Sequence, residues 1–238
     1  MKKALFIALT ILVSSLDLAR AAGLDEIMKN IGGVSRGAPD EQTTASGLKE
    51  ALEIGTENAV KSVSKTDGYF GNQTIKILMP EKIQKAADVL KKFGYQKEVD
   101  DFILSMNRAA EKAAPKAASI FGDAIKKMTV DDARKILGGG DTAATDYFKV
   151  KTHDQIYDAF KPIISSSMNE VGVTHSYKTM MSKYESIPFM SKESVDLDHH
   201  VTTKAMDGLY YMVGQEEKKI RTDPAARTTD LLKTVFGK

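Results

Sequence analysis

Apolar residues recur every three or four positions over most of the chain after residue 44, which is the period of an α-helix with one buried face. The most informative run extends from Val99 to Met128 and contains alanines in two rows spaced four residues apart. Because alanine projects little beyond the backbone, such rows allow a second helix to approach closely. Pro115 lies within this run and predicts a kink or a break, since proline cannot donate a backbone hydrogen bond. The same period predicts further helices over 45–64, 80–93, 129–137, 142–148, 152–171, 173–184, 196–213 and 224–236.

Two of these predicted helices begin with a capping-box pattern, in which a threonine is followed three residues later by an acid or an amide. The pairs are Thr129 with Asp132, and Thr152 with Gln155. Residues 74–78 alternate between polar and apolar side chains, which is typical of a short strand or of an extended connection. We therefore predict an all-α fold, a single irregular multi-helix bundle over 45–238, with one extended segment near 74–78.

The first 21 residues have the pattern of a secretion signal. Lys2 and Lys3 precede a twelve-residue apolar stretch, and Ala19 and Ala21 fit a small-x-small cleavage site. The apolar stretch is shorter than the roughly 20 residues that a membrane-spanning helix needs. We predict a signal peptide over 1–21, a flexible linker over 22–44, and a periplasmic protein with no integral membrane span after cleavage. Full secretion stays open as an alternative.

Composition and charge exclude several classes of function. None of the 238 residues is a cysteine, which excludes disulfides, thiolate metal sites and a lipid-modified N-terminal cysteine. The formal net charge is +2, and cleavage after Ala21 removes Lys2, Lys3 and Arg20 against Asp17, leaving a neutral chain. Because a neutral chain without a basic block lacks the electrostatic signature of nucleic-acid binding, we predict no nucleic-acid partner. Nothing in the sequence predicts a cofactor.

Polar residues interrupt the alanine-rich helix at Asn107, Arg108 and Glu111. Arg108 and Glu111 are three apart, and Asn107 and Glu111 four apart, so their side chains are neighbours on a helix. One interpretation is a polar network that fixes helix packing, and the other is a recognition cluster that lines a groove. Asp132, Thr145 and Tyr147 would complete either arrangement, which makes these six residues our ligand-binding candidates.

Weaker patterns suggest metal or acid–base chemistry. Asp196 and His200 are four residues apart and would share one helix face, so they are candidate metal ligands if His153 or His175 supplies a third. The alternative is a helix-capping aspartate beside surface histidines. Glu111 and Asp132 would be the acid and base of a hydrolase if they converged on one substrate.

Several runs resemble a family of exported bacterial proteins, the domain of unknown function 4197. These runs are Asn107–Glu111, Ile120–Ile125, Met128–Ala133, Gly138–Phe148, Glu216–Pro224 and Leu231–Phe236. The resemblance implies an exported, mostly helical protein with no assigned activity. Many relatives look like lipoproteins, but this chain lacks the cysteine that would carry the lipid, so the comparison implies a soluble protein.

The sequence favours a non-catalytic binding module. Alanine-faced helices, helix-breaking prolines and methionine-rich stripes are compatible with a groove that holds a small apolar ligand, a partner helix or another envelope protein. A carboxylate- or metal-dependent hydrolase and a structural envelope protein are the two alternatives.

Overall fold

The computed structural model describes residues 40–170, 173–186, 195–227 and 229–236, which form a bundle of α-helices. The predicted signal peptide and most of the predicted linker lie outside the described residues. In chain order the helices are α1 (Glu41–Ser64), α2 (Glu81–Lys92), α3 (Gln96–Ala113), α4 (Ala117–Lys127), α5 (Val130–Leu137), α6 (Ala143–Glu170), α7 (Val173–Glu185), α8 (Leu197–Thr222) and α9 (Asp230–Phe236). The described ranges contain no β-strand, so the prediction of an all-α fold is confirmed.

The centre of the bundle is built by α3, α6 and α8, with α1 packed against α8. The alanine-rich segment is buried as predicted, with five of its six alanines completely inaccessible: Ala109, Ala110, Ala113, Ala114 and Ala117. Ala118 is exposed. These small side chains let the backbones of neighbouring helices approach, which places α3 against both α6 and α8.

Pro115 divides the long apolar run as expected. Helix α3 ends at Ala113, a 3-10 turn covers Ala114–Lys116, and α4 begins at Ala117. Pro162, in contrast, lies inside α6. The predicted last helix is also divided, into a 3-10 turn over Pro224–Ala226 and α9.

The two predicted capping boxes have different outcomes. Thr129 and Asp132 form the box at the start of α5, with Thr129 Oγ1 accepting from the Asp132 amide at 3.1 Å. The box at Thr152 is wrong, because α6 is continuous from Ala143 to Glu170. Thr152 Oγ1 instead donates to the Phe148 carbonyl at 2.7 Å and bonds the Tyr210 hydroxyl at 2.9 Å, so it bridges two helices.

Helix α1 begins at Glu41, four residues before the predicted start. The described residues from Glu41 onward form one compact unit. Among the helices of the described residues, none is both long enough and apolar enough to cross a bilayer.

Candidate functional site

Residues 72–79, which we call the wall segment, lie antiparallel to α8. Asn72 Nδ2 contacts the Met212 sulfur at 3.7 Å, near the middle of α8. At the other end, the Leu78 carbonyl accepts a hydrogen bond from His200 Nε2 at 3.0 Å, close to the start of α8. From Asn72 to Leu78 the contacts therefore shift from the middle of α8 toward its first turn, so one face of α8 lies beside the wall segment.

An open groove with a volume of about 580 Å³ lies along this junction. Its size falls within the range of small-molecule sites. Two large apolar side chains on its surface are exposed to solvent, Leu78 by 58% and Tyr211 by 42%. The groove is lined by the wall segment, the start of α2 and one face of α8: Thr74, Ile75, Lys76, Leu78, Met79, Glu81, Gln84, His200, Lys204, Asp207, Gly208 and Tyr211.

The wall segment is held from behind by Asn107 of α3. Asn107 is completely buried, and its Oδ1 accepts a hydrogen bond from the Ile77 amide at 2.8 Å. Its Nδ2 donates to the Ile77 carbonyl at 2.8 Å and to the Ile103 carbonyl at 2.7 Å. One side-chain amide thus satisfies both backbone groups of Ile77, as a neighbouring strand would.

Glu111, one helical turn further along α3, fixes the turn that precedes the wall segment. Its Oε1 accepts from the backbone amides of Tyr69 at 3.1 Å and Phe70 at 3.2 Å. Its Oε2 accepts from Arg108 at 2.6 Å, and Arg108 also bonds Asp67 at 2.7 Å. These hydrogen bonds raise the pKa of the Arg108 guanidinium above its ordinary value, and the bond to Glu111 has the largest effect.

Tyr69 connects the same turn to α8. Its side chain is completely buried, and its hydroxyl donates to the Ala205 carbonyl at 2.7 Å. Burial, reinforced by the negative charge of Glu111, raises the pKa of Tyr69 well above its ordinary value. The hydroxyl therefore stays protonated and remains a donor to α8 over the whole physiological range of pH.

The candidates Asn107, Arg108 and Glu111 accordingly lie together but behind the groove. None of the three is among the residues that line it. Apart from the bond to the Ile103 carbonyl and the pair between Arg108 and Glu111, their hydrogen bonds go to the backbone of residues 69–77 and to Asp67, so they hold the wall segment and its preceding turn against α3.

Thr145 belongs to a second buried cluster, built on Glu217 of α8. Glu217 accepts hydrogen bonds from the amides of Ala144 and Thr145, both at 2.9 Å, and from the Thr145 hydroxyl at 2.8 Å. It also pairs with Arg221, whose guanidinium donates to the Ile136 carbonyl at 2.9 Å. A carboxylate at a helix N-terminus satisfies amides that lack partners within the helix. Glu217 therefore joins α8 to the start of α6.

Asp132 and Tyr147 have separate local roles. The Asp132 carboxylate accepts from the Thr129 amide at 3.1 Å and the Thr129 hydroxyl at 2.8 Å. These hydrogen bonds lower the pKa of Asp132 below its ordinary value, and the bond from the Thr129 backbone has the largest effect. The Tyr147 hydroxyl donates to the Ala124 carbonyl at 3.4 Å, and burial raises the pKa of Tyr147.

Asp196 and His200, the candidate metal ligands, are both engaged in other hydrogen bonds. The Asp196 carboxylate accepts from the His199 amide at 2.9 Å and caps α8, and His200 bonds the Leu78 carbonyl. His153 pairs with its neighbour Asp154, while the side chain of His175 lies outside the described residues. In the part of the chain that the structure describes, no three acidic or histidine side chains converge in a possible metal site.

Sequence reasoning missed the groove residues Leu78 and Tyr211 and the anchors Tyr69 and Glu217. Glu217 carried a signal, since it lies four residues before Arg221 on a helix, but that spacing does not reveal the contact with α6. Leu78 lies in the segment 74–78 that the alternation predicts to be extended, but that pattern does not indicate a groove, and Tyr69 and Tyr211 carry no pattern that separates them from ordinary core or surface residues.

The fold and the groove define an all-α protein with one helix and one non-helical segment framing an open surface site. The profile of a protein family described as "Protein of unknown function (DUF4197)" matches residues 38–237, and the chain belongs to this family. The resemblance drawn from the motifs is thereby confirmed. No curated protein and no solved structure matches the chain.

Proposed function

We propose that this protein is an exported, non-catalytic binding protein whose ligand site is the groove between the wall segment and α8. The observation that carries the proposal is the groove itself, about 580 Å³ in volume, with Leu78 and Tyr211 exposed on its surface. Concave sites that combine apolar surface with a few polar groups are typical of ligand-binding sites.

The buried contacts behind the wall support a binding role. Asn107, Glu111 and Tyr69 together make hydrogen bonds that hold the wall segment and its preceding turn against α3 and α8. A site that is already ordered before binding loses less conformational freedom when the ligand arrives. The network thus holds a segment without regular secondary structure in a fixed position beside α8.

The carboxylates favour binding over the alternative of a hydrolase. Glu111 accepts hydrogen bonds from three donors, and Asp132 is committed to the cap of α5. General acid–base catalysis needs groups that can reach one substrate and exchange protons with it. Neither carboxylate lines the groove.

Export rests on the signal pattern of residues 1–21. Fractionation of the host cells and mass measurement of the intact protein test it. We expect a periplasmic protein whose first residue is Ala22. A cytoplasmic protein that retains residues 1–21 would contradict the proposal of export.

Native mass spectrometry of the protein purified from its own host tests the binding site. We expect the wild-type protein to carry a bound species and the Leu78→Asp variant to lack it, because a charge on the groove surface opposes apolar contact. Val150→Asp is the matched control, since Val150 is also apolar, is 81% exposed, and lies on α6 away from the groove.

Two results would contradict the proposed site. The first is an unmodified protein that carries no bound species under gentle conditions. The second is a bound species that survives Leu78→Asp as well as it survives Val150→Asp.

A further inference from the structure

The wall segment begins with a turn, in which the Asn72 carbonyl accepts from the amides of Ile75 at 3.2 Å and Lys76 at 2.8 Å, so its extended part is residues 76–79. The side chains alternate between buried and more exposed from Ile75 to Met79, and Met79 precedes Pro80, which favours extended backbone. In an extended segment both backbone groups of one residue point to the same side, and those of the next residue point to the other. Because both groups of Ile77 meet Asn107, those of Leu78 point away from α3.

The Leu78 backbone therefore forms a short strand edge on the groove side. Its carbonyl is occupied by His200 Nε2, as described above. Its N–H group has no hydrogen-bond partner among the described residues. His200 thus occupies the position that the N–H group of a neighbouring strand would take, and the Leu78 N–H is an unused donor.

We infer that the groove binds an extended peptide of another protein, whose backbone pairs with Leu78 after His200 swings aside. This inference rests on the proposed function. The peptide carbonyl accepts from the Leu78 N–H, and a peptide N–H replaces His200 at the Leu78 carbonyl. Addition of a strand to an exposed edge is a general mode of peptide recognition.

The charges along the groove fit a peptide of mixed composition. Lys76 and Lys204 are balanced by Glu81 and Asp207, so the lining has no net charge apart from His200. Lys204 and Asp207 pair at 3.5 Å with more than half of each side chain exposed, so both can exchange partners with a ligand. A polyanion would meet both carboxylates, whereas a peptide with charges of both signs meets a partner for each.

The length of the groove also suits a short peptide. The α8 side extends from His200 to Tyr211, which at 1.5 Å per residue is about 16 Å. About five residues of extended chain cover this distance. The apolar surface of Leu78 and Tyr211 lies at its two ends and provides contacts for apolar peptide side chains.

The test selects peptides from a displayed library of random linear peptides against the purified protein. The readouts are the amide resonance of Leu78 and the affinities of Leu78→Pro and Leu78→Ala. Both variants lose the leucine side chain, and Leu78→Pro also loses the N–H. We expect Leu78→Pro to bind about fivefold more weakly than Leu78→Ala, the effect of one backbone hydrogen bond. We also expect hydrogen exchange at the Leu78 amide to slow when peptide binds.

His200→Ala provides an independent test, because it frees the Leu78 carbonyl in advance and should tighten peptide binding. Equal affinity of Leu78→Pro and Leu78→Ala with an unmoved Leu78 amide would overturn the inference, as would self-association of the chain through Leu78. If no peptide binds but native mass spectrometry shows a small molecule lost on Leu78→Asp, the inference fails while the proposed function stands. If neither peptide nor small molecule depends on the groove, both fail.

Discussion

Replacing Asn107 by alanine should destabilise the protein by about 2–6 kcal/mol. The substitution leaves the N–H and the carbonyl of Ile77 without protein partners, and Ile77 is 1% exposed, so both groups are shielded from bulk solvent. Each buried backbone group left unpaired costs about 1–3 kcal/mol. The third hydrogen bond of Asn107, to Ile103, adds little because that carbonyl lies within the continuous helix α3.

Urea unfolding followed by circular dichroism measures this free energy, and hydrogen exchange at the Ile77 amide reports the local effect. Asn58→Ala is the control, because Asn58 is an exposed helical asparagine with one 3.3 Å hydrogen bond to Glu216. We expect the control to change stability by less than about 0.5 kcal/mol. Equal stability of the two variants, with unchanged exchange at Ile77, would refute the role of Asn107 in holding the wall segment.

Three further substitutions test the packing and electrostatics around the site. Gly208→Ala places a β-carbon 2.7 Å from the buried ring of Tyr69, and this clash should outweigh the gain in helix propensity and destabilise the protein by about 1 kcal/mol. Gly122→Ala meets no atom within 4 Å and should stabilise the protein by about 0.5–1 kcal/mol. Thermal melts in which both variants shift the melting temperature in the same direction would be inconsistent with this packing. Burial lowers the pKa of His200 below its ordinary value of 6.5, so the unfolded chain binds a proton more readily than the folded one and stability should fall as the pH drops below 6.5. Urea titrations at pH 7.5 and 5.5 should show this loss of stability in the wild type and in the control variant His153→Gln, and a smaller loss in His200→Gln. Glu217→Ala leaves two buried amides without an acceptor and Arg221 without its carboxylate partner, and should cost about 3–5 kcal/mol in urea unfolding. A loss below about 1 kcal/mol would exclude its role in joining α8 to α6.

Hydrophobic period and helix-breaking residues were sufficient to predict most of the fold. Burial of the alanine rows and the break at Pro115 follow from local chemistry, because small side chains pack closely and proline lacks a donor. The predicted capping box at Thr152 failed because α6 continues through this position, where the buried hydroxyl bonds its own helix and α8. Spacing along the chain does not reveal a contact between helices that are distant in sequence.

The candidate site was less predictable for the same reason. The sequence grouped Asn107, Arg108 and Glu111 correctly on one helix face, but it could not show that residues 69–77 cover that face. The groove depends on an irregular segment that is ordered by side chains from α3 and α8. Neither helical period nor strand alternation indicates which surface such a segment exposes.

The most direct test of the groove as the binding site is photo-crosslinking in intact host cells, with a photoreactive amino acid in place of Tyr211 or, as a control, Val150. Both positions are exposed, and Tyr211 alone of the two lines the groove. We expect an adduct of defined mass at position 211 that disappears when Leu78→Asp is added, and no such adduct at position 150. An adduct of equal yield at both positions, or one that persists with Leu78→Asp, would contradict the account.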